Sequence, residues 1–266
     1  MQMKLQVLIS AVNEDIFTLA ERMGLESDAI IINQTDHFGY REYERSCKNG
    51  RKQVKCYSFA ERGVGLSRNN ALMRATGDIL LFADEDIVYN SGYEEKILNQ
   101  FKEHPEADFL LFNMRVSQKR ATYYTRKYHR VHIWHAGRYP TYSFAVKREK
   151  LEAANITFSL LFGGGAKYSN GEDSLFLKDC LSCGMKVYAV PVELGYEKER
   201  ESTWFEGYTE KFFLDRGVLY HFLYGALAYP MAVRFIAVHG SEMCEEIPPK
   251  AALRLMKRGI RSVKET

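Results

Sequence analysis

The stretch Ile79-Leu80-Leu81-Phe82-Ala83-Asp84-Glu85-Asp86 decides the fold: five apolar residues in a row run straight into three carboxylates. A short, continuous apolar run reads as a strand buried on both faces, the pattern of a parallel sheet covered by helices. The C-terminal tip of such a strand is where open α/β sheets bind ligands. Three neighbouring acids repel one another and resist ionising, so this tip is costly unless a cation or hydroxyl donors compensate it. The triplet therefore predicts a hard divalent metal.

Outward from this strand, apolar segments at 5–11, 28–33, 54–59 and 107–114 read as further strands, and 15–24, 66–76 and 93–103 read as helices between them. The alternation predicts an α/β chain with a mostly parallel central sheet flanked by helices. The helix at 66–76 starts at Gly65 or Ser67, which places Arg68 in its first turn, near the sheet edge that carries Asp84. The long polar connection 34–53 reads as a mobile loop over one edge. A second helix opens at Asn170-Gly171-Glu172-Asp173 and ends at Gly184, with Lys186–Val190 returning as a strand. Taken alone, Glu172 and Asp173 have a structural explanation, because capping and the helix dipole favour carboxylates at a helix start. Gly163-Gly164-Gly165 lacks the Gly-Lys-Ser/Thr of a P-loop; it reads as a turn that lets backbone approach a ligand, with a plain loop as the alternative.

Composition narrows the function classes. With 266 residues and 46% hydrophobic content the chain can bury a large core and is not disordered. A formal charge of +3 is too small to predict a nucleic-acid groove, although Lys250, Arg254, Lys257, Arg258, Arg261 and Lys264 form a basic tail. Met1-Gln2-Met3-Lys4 leads directly into a strand, leaving no room for a signal sequence, so a cytoplasmic protein is expected. Five cysteines without a paired framework suit a reducing compartment. Cys180 and Cys183 read as thiols on the apolar face of a helix rather than half a zinc site.

Gly63-Val64-Gly65-Leu66-Ser67-Arg68-Asn69-Asn70-Ala71, then Ala75-Thr76-Gly77-Asp78, then Asp84-Glu85-Asp86, and later Gly171-Glu172-Asp173, resemble in order and spacing the family 2 glycosyltransferases. The similarity covers roughly residues 5–200. It implies a nucleotide-sugar-binding GT-A fold over 1–200, followed by a helical extension over 201–266. It also implies site roles. Arg68 approaches the donor nucleotide, Asp84 and Glu85 lie on the donor side, Asp86 holds Mn²⁺ or Mg²⁺, and Asp173 is the catalytic base of an inverting enzyme. The first strand ends Ser10-Ala11-Val12-Asn13-Glu14 where the family usually has a Pro-x-Tyr-Asn-Glu-like run. Ser10 and Asn13 are thus donor-side candidates without the aromatic partner for the base. Gln34 and Asp36 are expected to read that base, an amide offering both donor and acceptor. Gly164, Gly165, Glu172 and Trp204 are the acceptor-side candidates. Where relatives place a His after the late strand, this chain has Glu197, which as a hard oxygen ligand can substitute, as can an extra water.

The residue types suit the implied reaction. Displacing a nucleoside diphosphate builds negative charge on the leaving phosphate, which a cation stabilises most in the transition state. On the other face of the sugar an acceptor hydroxyl must lose its proton, and a carboxylate at a helix start can take it. His129, His132 and His135 are not promoted to ligands, since such spacing arises by chance in an aromatic-rich segment. The rings of 123–139, Trp134 and Tyr139 included, either face an acceptor or pack inward.

Val218–Val238 is apolar apart from His221 and Arg234, with Pro230 in its middle, which argues against a simple membrane span. It is either a helical pair packed on the catalytic domain or on another subunit, or an interfacial segment that meets an anionic membrane together with the basic tail. The expectation is a metal-dependent and inverting transferase, either free in the cytoplasm or peripheral to the inner face of the cell membrane. It moves a sugar from a UDP-sugar to a saccharide or lipid-linked saccharide. A non-catalytic nucleotide-sugar-binding scaffold and a sugar nucleotidyltransferase are the alternatives.

Overall fold

The protein is described by a computed structural model, which covers residues 3–118, 121–198 and 207–263. In chain order the first half runs β1 (Leu5–Val12), α1 (Ile16–Arg22), β2 (Asp28–Gln34), β3 (Gly39–Cys47), β4 (Gly50–Phe59), α2 (Val64–Leu72), β5 (Ile79–Asp84), β6 (Ile87–Tyr89), α3 (Tyr93–Glu103) and β7 (Phe109–Arg115). The second half adds β8 (His129–Arg130), β9 (Phe144–Lys147), α4 (Arg148–Ala154), α5 (Glu172–Ser182), β10 (Val187–Glu197), α6 (Glu210–Tyr224), α7 (Ala228–Met243) and α8 (Pro249–Ser262).

Among the described residues the strands form one sheet in the order β3-β4-β2-β1-β5-β9-β7-β10-β6, with β8 pairing β10. The segment β4-β2-β1-β5 and the pair β7–β10 are parallel; β9, β3, β6 and β8 add antiparallel contacts. The continuous apolar reading of β5 is explained by its two covers. Leu81 and Ala83 point into a core shared with Leu19 and Ile97 of α1 and α3, whereas Leu80 and Phe82 point into a core shared with Phe176 and Leu177 of α5. Side chains alternate across a strand, so only a sheet with helices on both faces requires every position to be apolar.

Residues 34–53 do not form the expected loop. They contain β3, which pairs with β4 through a two-residue turn at Lys48-Asn49, in a register that sets Tyr40 against Tyr57 and Cys47 against Gly50. This edge strand turns one face to solvent and lays the other, with Tyr43, Arg45 and Cys47, half-buried against α1 and the segment after it, a face too polar to leave an apolar trace of period two. Its pairing is sustained by ring and charge contacts instead, Tyr40 against Tyr57 at 4.8 Å and Glu44 with Arg51 at 3.3 Å. The apolar face expected for both cysteines of α5 is also only half observed: Cys180 is buried and Cys183, at the helix end, is exposed.

The helices beyond residue 209 form their own layer. The apolar 218–238 stretch breaks at Gly225–Leu227, a 3₁₀ turn, rather than at Pro230, which lies in the first turn of α7 where its missing N–H costs nothing. α6 crosses α8 closely because glycines meet backbone in both directions: a Cβ on Gly217 would strike the Met256 carbonyl, and one on Gly259 the Leu214 carbonyl. Gly217→Ala is therefore expected to cost about 1–3 kcal/mol by overpacking, seen as a lowered melting temperature by circular dichroism. Wild-type melting would show that the helices separate without penalty. The layer is also joined to the sheet, since Phe162 and Leu175 share an apolar cluster with Val218, Leu219 and Leu223 of α6.

Candidate active site

The parallel strands end together, and the register fixes which side chains meet there. Ser10 lies opposite Asp84, and Val12 opposite Gln34. α2 starts above these tips and carries Arg68, which is buried and bridges two acids. Its Nη2 donates to Asp84 Oδ1 at 3.0 Å and its Nη1 to Glu172 Oε1 at 2.8 Å. One guanidinium thus joins the acidic tip of β5 to the first turn of α5, residues more than eighty positions apart. Burial acts to lower the Arg68 pKa, but the charges of Asp84 and Glu172 outweigh it and hold the group above its ordinary value. Beneath it lies an aromatic floor, with Phe158 5.5 Å from the guanidinium and stacked on Phe176 at 3.9 Å.

Asp173 follows Glu172 in the same helical turn. Its Oδ1 accepts from Ser174 N at 2.6 Å and from Ser174 Oγ at 3.2 Å. The surrounding protein removes water from the carboxyl and, with the neighbouring Glu172 charge, pushes its pKa up to about 7, against the opposing pull of Ser174 and Arg68. A carboxylate that titrates near neutral pH is matched to proton transfer. Glu172 is no simple cap, because its carboxylate points to Arg68. The start of α5 is held by Gly171, whose φ of 113° disfavours other residues and whose missing Cβ makes room for Leu219 of α6.

Asp86 is buried just past β5. The antiparallel ladder between β6 and β10 sets Glu197 opposite Ile87, and Lys198 N donates to the Asp86 carbonyl at 2.9 Å. Glu197, also buried, lies at the end of β10 opposite Ile87, the residue that follows Asp86. Glu85 is half-buried between Asp84 and Asp86. Among the described residues no three His, Cys, Asp or Glu side chains are arranged as a ready metal site.

The remaining candidates fall into three groups. Ser10 joins the cluster, with its hydroxyl donating to Ser67 Oγ at 2.7 Å. Gln34 is buried and its amide oxygen accepts from Gly63 N at 2.7 Å, so that acceptor supports the entry to α2. Gly164 likewise supports α2, its carbonyl accepting from Val64 N at 2.9 Å, while Gly165 is exposed beside it. Asn13 and Asp36 lie at the rim: Asn13 is exposed with φ 52°, and Asp36 is exposed with His37 Nδ1 at 2.9 Å. Trp204 lies outside the described residues, as does Lys264 of the basic tail.

Two supports had no sequence reading. Asn69 grips the backbone of Phe158 from both sides, donating to its carbonyl at 2.9 Å and accepting from its N–H at 2.7 Å. Asp215 of α6 accepts from Ser169 N at 3.0 Å, from Ser169 Oγ at 3.1 Å and from Lys211. An Asn one position after Arg68 in a helix carried a usable hint, since a polar residue on a buried helix face needs a partner. Nothing local in α6 pointed Asp215 at Ser169.

Comparison with solved structures places the same architecture elsewhere. Staphylococcus aureus TarS (residues 1–349) in complex with UDP-GlcNAc superposes with a TM-score of 0.61 at 17% identity, covering 92% of this chain and 74% of that one. The mannosyltransferase PcManGT from Pyrobaculum calidifontis, in complex with GDP-Man and Mn²⁺, gives 0.50 at 14% identity, covering 100% and 76%. At these identities the likeness concerns the fold. No curated protein sequence matches at a significant level. The sequence model described as Glycosyl transferase family 2 matches residues 16–162, just over half of the chain. With that match and the GT-A arrangement of sheet and helices, the chain belongs to glycosyl transferase family 2 and is a glycosyltransferase.

Proposed function

We propose that this glycosyltransferase moves a sugar from a nucleotide donor, a UDP-sugar, to a saccharide or lipid-linked saccharide hydroxyl with inversion. The observation that carries the reading is the Asp84–Arg68–Glu172 bridge. It holds the acidic strand tip and the Asp173 helix start in one cluster, so one group can face the departing diphosphate and another the incoming hydroxyl. The neighbours named above bind UDP-GlcNAc and GDP-Man, and UDP-GlcNAc in TarS favours uridine here.

A divalent cation fits the chemistry of the donor set, since Asp86 just past β5 and Glu197 at the end of β10 are both buried carboxylates, hard oxygen ligands. Mg²⁺ and similar ions bind through one or two carboxylates and complete their shell with substrate phosphates and water, so a closed protein cage is not required. Asp86 and Glu197 would hold the ion, which when bound supplies Lewis-acid stabilisation of the leaving group. Asp173 takes the proton from the acceptor hydroxyl as that oxygen attacks the anomeric carbon. Arg68, paired with both Glu172 and Asp84, positions both halves of the site.

Titration calorimetry with UDP, with and without Mn²⁺, tests the donor side. Asp86→Ala is expected to remove the Mn²⁺-dependent part of UDP affinity, a loss of about 10- to 100-fold, and to leave metal-free binding unchanged. Equal Mn²⁺ dependence in the variant would place the ion elsewhere. Binding without turnover against a panel of donors and acceptors would favour the scaffold alternative.

A further inference from the structure

A helix at a protein surface ordinarily turns a polar face to water, and α7 does so only at Arg234 and in its last turn, where Ser241 and Glu242 are exposed. The rest of its exposed face is Pro230, Val233, Ala237 and Val238, with Leu227 exposed just before the helix. Val233 and Val238 are 50% and 54% exposed. The inner face is fully used, because Ala228, Ala232 and Phe235 pack into the apolar cluster between α6 and α8. Residues 210–243 are long and apolar enough to cross a membrane by length and composition, yet only 28% of their most apolar window is buried. The chain turns at Gly225–Leu227 and α6 is committed to the protein, so α7 is placed to lie along a surface rather than to pass through one.

α8 supplies the second half of the pattern. It carries no acid, and Lys250, Arg254, Arg258 and Arg261 follow one another along its exposed side. The two helices run antiparallel: α8 returns after a short loop, and Arg261 Nε donates to Tyr229 OH at 3.3 Å, which fixes the end of the basic row beside the start of the apolar stripe. Apolar and cationic rows side by side on one helical hairpin match the boundary of an anionic bilayer, where acyl chains receive the first and headgroup phosphates the second. A second copy of this chain fits poorly, because a two-fold contact over this face would bring both basic rows together.

We infer that the α7–α8 hairpin is a membrane-docking surface for anionic phospholipid, with α7 lying in the plane of the interface. The inference does not depend on the donor or acceptor assigned to the active site. The full chain is expected to co-sediment with vesicles of phosphatidylglycerol and phosphatidylcholine in equal parts, and to do so much less with phosphatidylcholine alone or at high salt. Val233→Glu with Val238→Glu should weaken binding by about tenfold or more, and Arg254→Glu with Arg258→Glu should abolish the preference for the anionic vesicles. All four positions are exposed, so unchanged melting curves and UDP affinity are expected in both double variants. Equal binding to neutral vesicles would overturn the inference, as would binding that neither double variant weakens. A dimer in sedimentation velocity that the valine variants dissociate, with no vesicle binding by the parent, would assign the stripe to a second copy instead.

Discussion

Asp173→Asn is expected to lower sugar transfer by about 10²- to 10⁴-fold, the usual contribution of a positioned base, while UDP affinity stays near the parent value. The amide keeps the size of the side chain and its acceptor oxygen toward Ser174, so what is lost is proton affinity rather than geometry. The same residue sets a pH profile. With its pKa raised to about 7, the ionised, active form grows as pH rises through neutrality, and kcat should climb with it. The variant should lack that limb. Stability runs the other way, because a carboxyl whose folded pKa exceeds its ordinary 3.8 holds its proton more tightly in the folded state. The stabilisation is complete below pH 3.8 and is lost as pH rises to about 7. Above that, the variant should be more stable than the parent by about 1 kcal/mol, a modest value because the group is partly exposed and shares its charge with Glu172. Steady-state kinetics and thermal melts at pH 5 and pH 8 check both statements. Normal transfer by the variant would show that another group deprotonates the acceptor.

Arg68→Met should be the most destabilising single change in the site. The methionine fills the space above Phe158 but leaves Asp84 and Glu172 facing each other without their shared cation. Breaking a buried ion pair by removing one partner costs about 3–5 kcal/mol, because the remaining charge is uncompensated. Arg68→Lys restores the charge but not a fork that reaches both carboxylates, so an intermediate stability is expected. Urea unfolding at pH 8 measures this. A loss under about 1 kcal/mol at pH 8 would mean that the bridge is replaced by water at little cost.

The parts of the fold legible in the sequence are those whose burial is two-sided. β1, β2, β5 and β7 announce themselves by mostly apolar runs, and their observed limits fall within a few residues of the expected ones. β3 is hidden because the half-buried face of this edge strand carries Tyr43, Arg45 and Cys47, an alternation too polar to read as apolar. β10 was seen only to Val190, since Pro191 and a register shift before Glu193 interrupt its pattern, although its far end delivers Glu197. In the site, Asp84, Arg68, Glu172 and Asp173 were legible as types at the right ends of elements. That one guanidinium spans both acids was not, because it depends on α2 and α5 converging over a floor of Phe158 and Phe176. Gln34 has a structural role that its place at a strand tip does not reveal, its amide oxygen accepting from the Gly63 backbone at the entry to α2.

The stretch matching the family ends at residue 162, yet the seat of Asp173 is built from beyond it. Leu219 of α6 fills the space that Gly171 leaves open, and Asp215 secures Ser169 two residues earlier. The stretch that matches the family and the helix that supports the start of α5 are therefore different pieces of chain. A chimaera that grafts another relative's tail onto this sheet would give Asp173 a different footing. Differences in turnover among such hybrids would then originate in α6 rather than in the strand tips.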